Sequence, residues 1–280
     1  MKSIKSKKFS KNIIFFALFG FISFLYFWLF VQKNRYCKIP YIGEVRDSSI
    51  IIIGHAYGSL QKSKLRGDRN ISPKIIEFYK ANEDKIKSLI FSGDVLNTPS
   101  KEKWEEFYSL FSKNKKIYIS PGNHDVGDSL NSDRRQIFLS INHRSNIHKI
   151  FPFKIYDDKS LFIIDNSNFN NEPLVKLKKI LKPTDLDYEN IFIIRHHVLA
   201  KSLEKYANGK STKLVSKKQL ENFSRKNITF IYGDGGLKES PNNIKCLKIG
   251  ESKHILNGIG DNENEVILVI NKNKLFLKRF

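Results

Sequence analysis

Apolar positions along this chain fall into three patterns, and the first is unbroken. Ile13 to Val31 reads IIFFALFGFISFLYFWLFV, 19 residues without a charge. As a helix rising about 1.5 Å per residue it spans about 28 Å, close to the hydrocarbon thickness of a bilayer. Tyr26 and Trp28 lie near its end, where interfacial aromatics are favoured. Lys2, Lys5, Lys7, Lys8 and Lys11 precede it without an acid. The run ends in Phe30-Val31-Gln32-Lys33 with no small-residue cleavage site. Cys37 follows Asn34-Arg35-Tyr36, not the small apolar residues that precede a lipidated cysteine. The expectation is an uncleaved transmembrane signal anchor. The positive-inside bias then puts the N-terminus in the cytoplasm and the body outside it, although Lys33, Arg35 and Lys38 follow the helix.

The second pattern is a short, continuous β-rich run. Ser49–Ile53, Ser88–Ser92, Ile117–Ser120, Ser160–Ile164, Ile191–Arg195 and Ile228–Tyr232 read as strands buried on both faces. The third is the amphipathic stretch between them. Pro73 opens a helix over Lys74–Lys87. Glu102–Lys113 carries Trp104, Phe107, Tyr108 and Phe111 at spacings of three and four, an apolar stripe for a core. Leu174–Leu181 and Lys217–Arg225 follow. Glu265–Ile270 and Lys274–Lys278 flank Asn271-Lys272-Asn273 and read as a hairpin. Strand–helix alternation with a β-rich end predicts one α/β layered sandwich. The chain thus divides into a basic tail (1–12), the membrane helix (13–31), a juxtamembrane linker (32–48) and one domain (49–280).

Charge adds less than its size suggests. The formal net charge is +21, which favours anionic partners. No basic block with interleaved aromatics accompanies it, so nucleic acid is not the expected partner and anionic lipid suits the first segment better. The two cysteines, Cys37 and Cys246, have no metal spacing and make no disulfide framework. They read as unpaired thiols, with a single bridge as the alternative.

The chemistry gathers at strand ends. The strings are IIIIGHAYG (50–58), SLIFSGD (88–94), YISPGNHD (118–125), IFIIRHH (191–197) and ITFIYGD (228–234). Ligand sites of α/β folds are built there, because the following loops project into a shared crevice. A lone Gly-Asp after a strand is an ordinary turn, and a His pair is ordinarily a satisfied buried one. Gly122-Asn123-His124-Asp125 after an apolar strand is far more specific, and five such ends in this order are a poor coincidence.

In these motifs and their order the chain resembles the calcineurin-like metallophosphoesterases, across residues 50 to 236. That family's pattern is D-x-H, G-D, G-N-H-D or G-N-H-E, a strand ending in His, then G-H-x-H. The resemblance implies an αββα sandwich with a two-metal site. It makes Asp94 the bridging carboxylate, Asn123 and His196 ligands, and His124 the residue that contacts phosphate and assists the leaving oxygen. Asp125 would orient His124 by a hydrogen bond. His197, beside the ligand histidine, is a further candidate. The mixed oxygen and nitrogen donors suit one or two divalent transition metal ions such as Mn, Fe or Zn.

The outer motifs depart from the pattern. His55-Ala56-Tyr57 stands where Asp-x-His is expected, and Asp234-Gly235-Gly236 where His-x-His is expected. The exchange is reciprocal, so two carboxylates, Asp94 and Asp234, survive. The expectation is one firm metal held by Asp94, Asn123, His196 and Asp234. The second would be weak or absent, with only His55, Asp94 and a Tyr57 phenolate available to hold it. The function expected is a membrane-anchored phosphoesterase acting on a phosphorylated substrate (an ester, diester or anhydride) through metal-activated water. The alternative is a catalytically impaired binding or assembly protein at the membrane, by analogy in surface polysaccharide biosynthesis. Lys62, Lys64, Arg66, Arg134, Arg135 and Arg195 are candidate anion contacts, with Arg195 the best placed for a pocket rim.

Overall fold

A computed structural model of the chain describes residues 15–26, 36–58, 71–111, 115–127, 132–142, 151–165, 173–204, 214–235, 244–258 and 266–280. Residues 15–26 are helical, and their large apolar side chains, Phe15 to Tyr26, are exposed. The remainder of the predicted membrane run lies outside the described residues. No described helix is long and apolar enough to cross a membrane.

Lys38–Phe280 forms a compact unit of its own. Its strands build two sheets. The first has the order β11-β10-β1-β2-β3, from Ser49–Ile53 (β1), Ile86–Phe91 (β2), Lys116–Ile119 (β3), Val266–Asn271 (β10) and Lys274–Arg279 (β11). The second has the order β4-β5-β6-β7-β9-β8, from Phe153–Asp157 (β4), Ser160–Ile164 (β5), Asn190–Arg195 (β6), Ile228–Tyr232 (β7), Ile244–Ile249 (β8) and Ser252–Asn257 (β9). β1, β2 and β3 run parallel, as do β5, β6, β7 and β9. Antiparallel strands border each parallel block.

Alternation along each strand assigns its faces. Ile51, Ile53, Leu89 and Phe91 turn outward onto helices Pro73–Asn82, Lys101–Phe111 and Asp133–Asn142. Trp104, Phe107 and Phe111 meet Phe91 and Phe138 there, mostly edge to face, a geometry aromatic quadrupoles favour. Ile191, Ile193 and Phe230 turn onto helices Pro173–Ile180, Lys201–Glu204 and Lys217–Phe223. Ile50, Ile52, Ile90, Phe162, Phe192, Ile194 and Ile231 are equally buried but belong to neither helix-facing cluster. They fill the space between the sheets, which the Asn257 amide spans to the Ile52 carbonyl at 3.3 Å. The layers are helix, sheet, sheet, helix.

Four features correct the sequence reading. The first helix stops at Asn82, and Glu83–Lys85 turns as 3₁₀ into β2. β4, β8 and β9 were not anticipated. β4 and β8 carry polar positions that interrupt the apolar run. The linker is shorter than expected, because Ile42 and Val45 are buried in the core and Ile42 N–H donates to the Leu277 carbonyl at 2.8 Å. Cys37 and Cys246 are both disulfide-bonded rather than unpaired. Two cysteines so far apart in sequence carry no spacing from which pairing could be read.

Candidate metal centre

The site forms where the parallel strands of both sheets end. β1 runs into Gly54-His55, β2 into Gly93-Asp94, β6 into His196-His197 and β7 into Gly233-Asp234. The loop after β3 delivers Asn123 at the start of a single helical turn, Asn123–Val126. His55 and Asp94 both adopt left-handed backbone, at φ 50° and 54°. Such strain on non-glycine residues persists only where the surroundings fix it, and it clusters at functional sites. Gly93, at φ 102°, lies so close beneath His196 that a Cβ there would stand 2.5 Å from Nδ1.

Six side chains converge. His196 Nε2 lies 3.2 Å from Asp94 Oδ1 and 3.2 Å from Asn123 Oδ1. His55 Nε2 lies 3.4 Å from Asp94 Oδ2 and 3.8 Å from Asp234 Oδ1. His197 Nδ1 lies 3.5 Å from Asp234 Oδ2. Two ligands of one ion, at bonds of about 2.0–2.2 Å, stand about 3–3.5 Å apart, so these separations suit a shared cation. The ligand atoms of His55, Asp94 and His196 all lie within 4.8 Å of one another, as do those of His196, His197 and Asp234.

Protonation supplies a second test of fit. Burial holds His196 down to about pKa 4, so its ring is neutral near pH 7. A neutral imidazole has one N–H. His196 Nδ1 faces the Ser92 carbonyl at 3.3 Å, while Nε2 faces two oxygens. One proton serves only one side. With Nδ1–H donating to Ser92, the Nε2 lone pair points at Asn123 and Asp94, and a cation among them resolves the conflict. Burial opposes charge on His55, but Asp94 and Asp234 outweigh it and raise its pKa. For Asp94, burial is outweighed by His196, His55 and His124, and its carboxyl stays below the ordinary range. Asp234 is likewise held below the ordinary range, against burial, by the facing His197 and His55 rings. The centre is anionic and aimed at positive charge.

A family model for calcineurin-like phosphoesterase matches residues 66–266. The chain belongs to the calcineurin-like phosphoesterase family. The structure of purple acid phosphatase PPD1 from yellow lupin (Lupinus luteus) seeds superimposes with a TM-score of 0.52 at 10% identity. The match covers 86% of this chain but 53% of that one, so this calcineurin-like chain spans about half of that protein, and the likeness concerns the fold. No curated protein sequence matches.

Against the family pattern, several side chains have tasks the sequence did not reveal. Asp125 does not hold His124. Its carboxylate accepts Val95 N–H, Leu96 N–H and Gly122 N–H at 2.9, 3.0 and 2.9 Å, stapling the Gly-Asp loop to the Asn-His turn. Burial and the charge of Asp94 push it up to about pKa 7, against the pull of those donors. His124 Nδ1 pairs instead with the Asn97 carbonyl at 3.2 Å, a backbone contact that leaves no side-chain signature. Arg195 is no pocket rim. It is buried, with Nη1 3.1 Å from Asp165 Oδ2 and Nε–H donating to the His197 carbonyl at 2.9 Å. Asp165 closes the LFIID string after β5, the same strand-end signal as the motifs. The Tyr57 phenol donates to Asp94 Oδ2 at 3.3 Å, and burial and Asp94 drive its pKa far up. Arg134 Nη1 reaches the His124 carbonyl at 3.3 Å, and Arg135 is buried rather than solvated. Lys62, Lys64, Arg66 and Gly236 lie outside the described residues.

Proposed function

We propose that the protein is a membrane-anchored, metal-dependent phosphoesterase that hydrolyses a phosphate ester, diester or anhydride. The observation that carries this is the meeting of His196 Nε2, Asn123 Oδ1 and Asp94 Oδ1 at 3.2 Å separations, with His124 joined to the same carboxylate. Asp94, Asn123, His196, Asp234 and His55 would hold a divalent ion such as Mn, Fe or Zn, which when bound would supply Lewis-acid polarisation of a phosphoryl oxygen and a water of lowered pKa. The chain's own residues do the rest. His124 N–H donates to Asp94 Oδ1 at 3.1 Å, which fixes the turn beside the ligands. With Nδ1–H on the Asn97 carbonyl, His124 presents Nε2 as the nitrogen that binds phosphate and carries a proton to the leaving oxygen.

Anchoring rests on the unbroken apolar run and the exposed apolar faces of helix 15–26. A catalytic domain outside the cytoplasm suits the lysine-rich N-terminus and the disulfide-bonded cysteines, since disulfides persist in oxidising compartments. A non-catalytic binding or assembly role is favoured by one feature, the Tyr57 phenol standing where the family pattern has a histidine. Metal-loaded full-length protein in detergent, assayed on p-nitrophenyl phosphate and bis-p-nitrophenyl phosphate, decides between them. Turnover lost in Asp94→Asn with an unchanged melting profile is expected. Near-normal turnover in that variant rules the mechanism out, and no turnover with any metal favours the binding role.

A further inference from the structure

Resting on the metal-centre reading above, we propose that this centre holds one ion rather than the family's two, that His55 ligates the same ion as His196, and that the Tyr57 phenol replaces the second cation as the partner of Asp94.

Three observations carry this. Each group of three histidine or acidic donors found among the described residues contains His196. An imidazole nitrogen has one lone pair and binds one ion, and the other ring nitrogen of His196 is committed to the Ser92 carbonyl. The two groups therefore describe one coordination sphere, not two. His55 belongs to it by position, because its Nε2 reaches both Asp94 and Asp234 while its ring lies 5.6 Å from that of His196.

Asp94 shows the second side of the argument. A carboxylate shared by two cations about 3.5–4 Å apart would have to serve both. Here Oδ1 faces His196, while Oδ2 takes the Tyr57 hydroxyl at 3.3 Å beside His55. Tyr57 is fixed there: it is 1% exposed and lies between the rings of His55 and His124, each 5.3 Å away. That second oxygen of Asp94 already has a hydroxyl donor.

The test uses the full-length chain in detergent, stripped of metal and reloaded with Mn(II). Bound Mn per chain is measured by mass spectrometry after equilibrium dialysis, and the spin state by electron paramagnetic resonance. The expected result is one Mn per chain with a magnetically isolated six-line spectrum, retained in Tyr57→Phe. His55→Gln is expected to weaken Mn binding by about 10-fold or more. Two ions per chain with an exchange-coupled spectrum would overturn the one-ion centre. Unchanged affinity in His55→Gln would remove His55 from it. One isolated ion without phosphoesterase turnover upholds this inference while sinking the hydrolase reading, and no bound Mn at all overturns both.

Discussion

Truncating Asp165 to alanine leaves the Arg195 guanidinium buried without the carboxylate it faces. Asp165 and Arg195 are 0% and 1% exposed, and Nη1 stands 3.1 Å from Oδ2. Breaking a buried pair from one side costs about 3–5 kcal/mol, because the remaining charge keeps its desolvation penalty and loses its compensation. Whole domains are stable by only about 5–15 kcal/mol, so this single truncation removes a large fraction. With a urea slope of about 2–3 kcal/mol per molar, a loss near 4 kcal/mol moves the midpoint down by about 1.3–2 M. Trp104 reports unfolding by fluorescence because it is fully buried, and a Trp28→Phe background removes the other tryptophan. The same variant should weaken Mn binding by about 10–100-fold, since Arg195 Nε–H holds the His197 carbonyl at 2.9 Å and thereby the strand end that carries His196. Asp165→Asn keeps the shape without the charge and should fall between wild type and alanine. A midpoint within about 0.4 M of wild type at unchanged slope would refute the reasoning.

Gly93→Ala should lower stability by about 2–4 kcal/mol and lose metal, because its φ of 102° and the 2.5 Å approach of His196 Nδ1 leave no room for a Cβ; urea titration and Mn dialysis measure both, and a metal-replete variant of normal stability contradicts the packing. His124→Gln should cut turnover by about 10²–10⁴-fold on an alkyl phosphate but much less on a nitrophenyl ester, whose leaving group needs no proton; equal losses on both would deny His124 its acid role. Acid should destabilise the fold through His254, fully buried with Nδ1 2.9 Å from the Tyr232 hydroxyl. Burial holds its folded pKa down to about 3. Below the unfolded value of about 6.5 the unfolded chain takes a proton that the native state refuses, so stability falls as pH drops from there toward the folded value, by about 1.4 kcal/mol per unit. His254→Gln should be less sensitive between pH 7 and 5, and a slope unchanged by it would dismiss His254 as the cause.

How much of this was legible follows from what each residue does with its own side chain. Strands buried on both faces, such as Ile228–Tyr232 and Ser160–Ile164, show as unbroken apolar runs, so their extents were read directly. β8 and β9 interrupt short apolar stretches with polar and charged positions, and the pattern there is too weak to separate strand from loop. At the site, His55, Asp94, Asn123, His196 and Asp234 were visible because each offers a donor at a strand end and the fold gathers strand ends. The residues that tune the site were not. Asn97 and Ser92 act through carbonyls, which every residue has. Asp125 was seen but given the wrong partner, because a sequence does not say that three backbone N–H groups reach its carboxylate first. The grouping of His55 with His196 is of the same kind. In the aligned motifs the two belong to different metals. The proposed sharing of one ion rests on the left-handed turn at His55 (φ 50°), which brings Nε2 within 3.4 Å of Asp94 and 3.8 Å of Asp234. The sequence carries the inventory of donors, and backbone geometry brings them together.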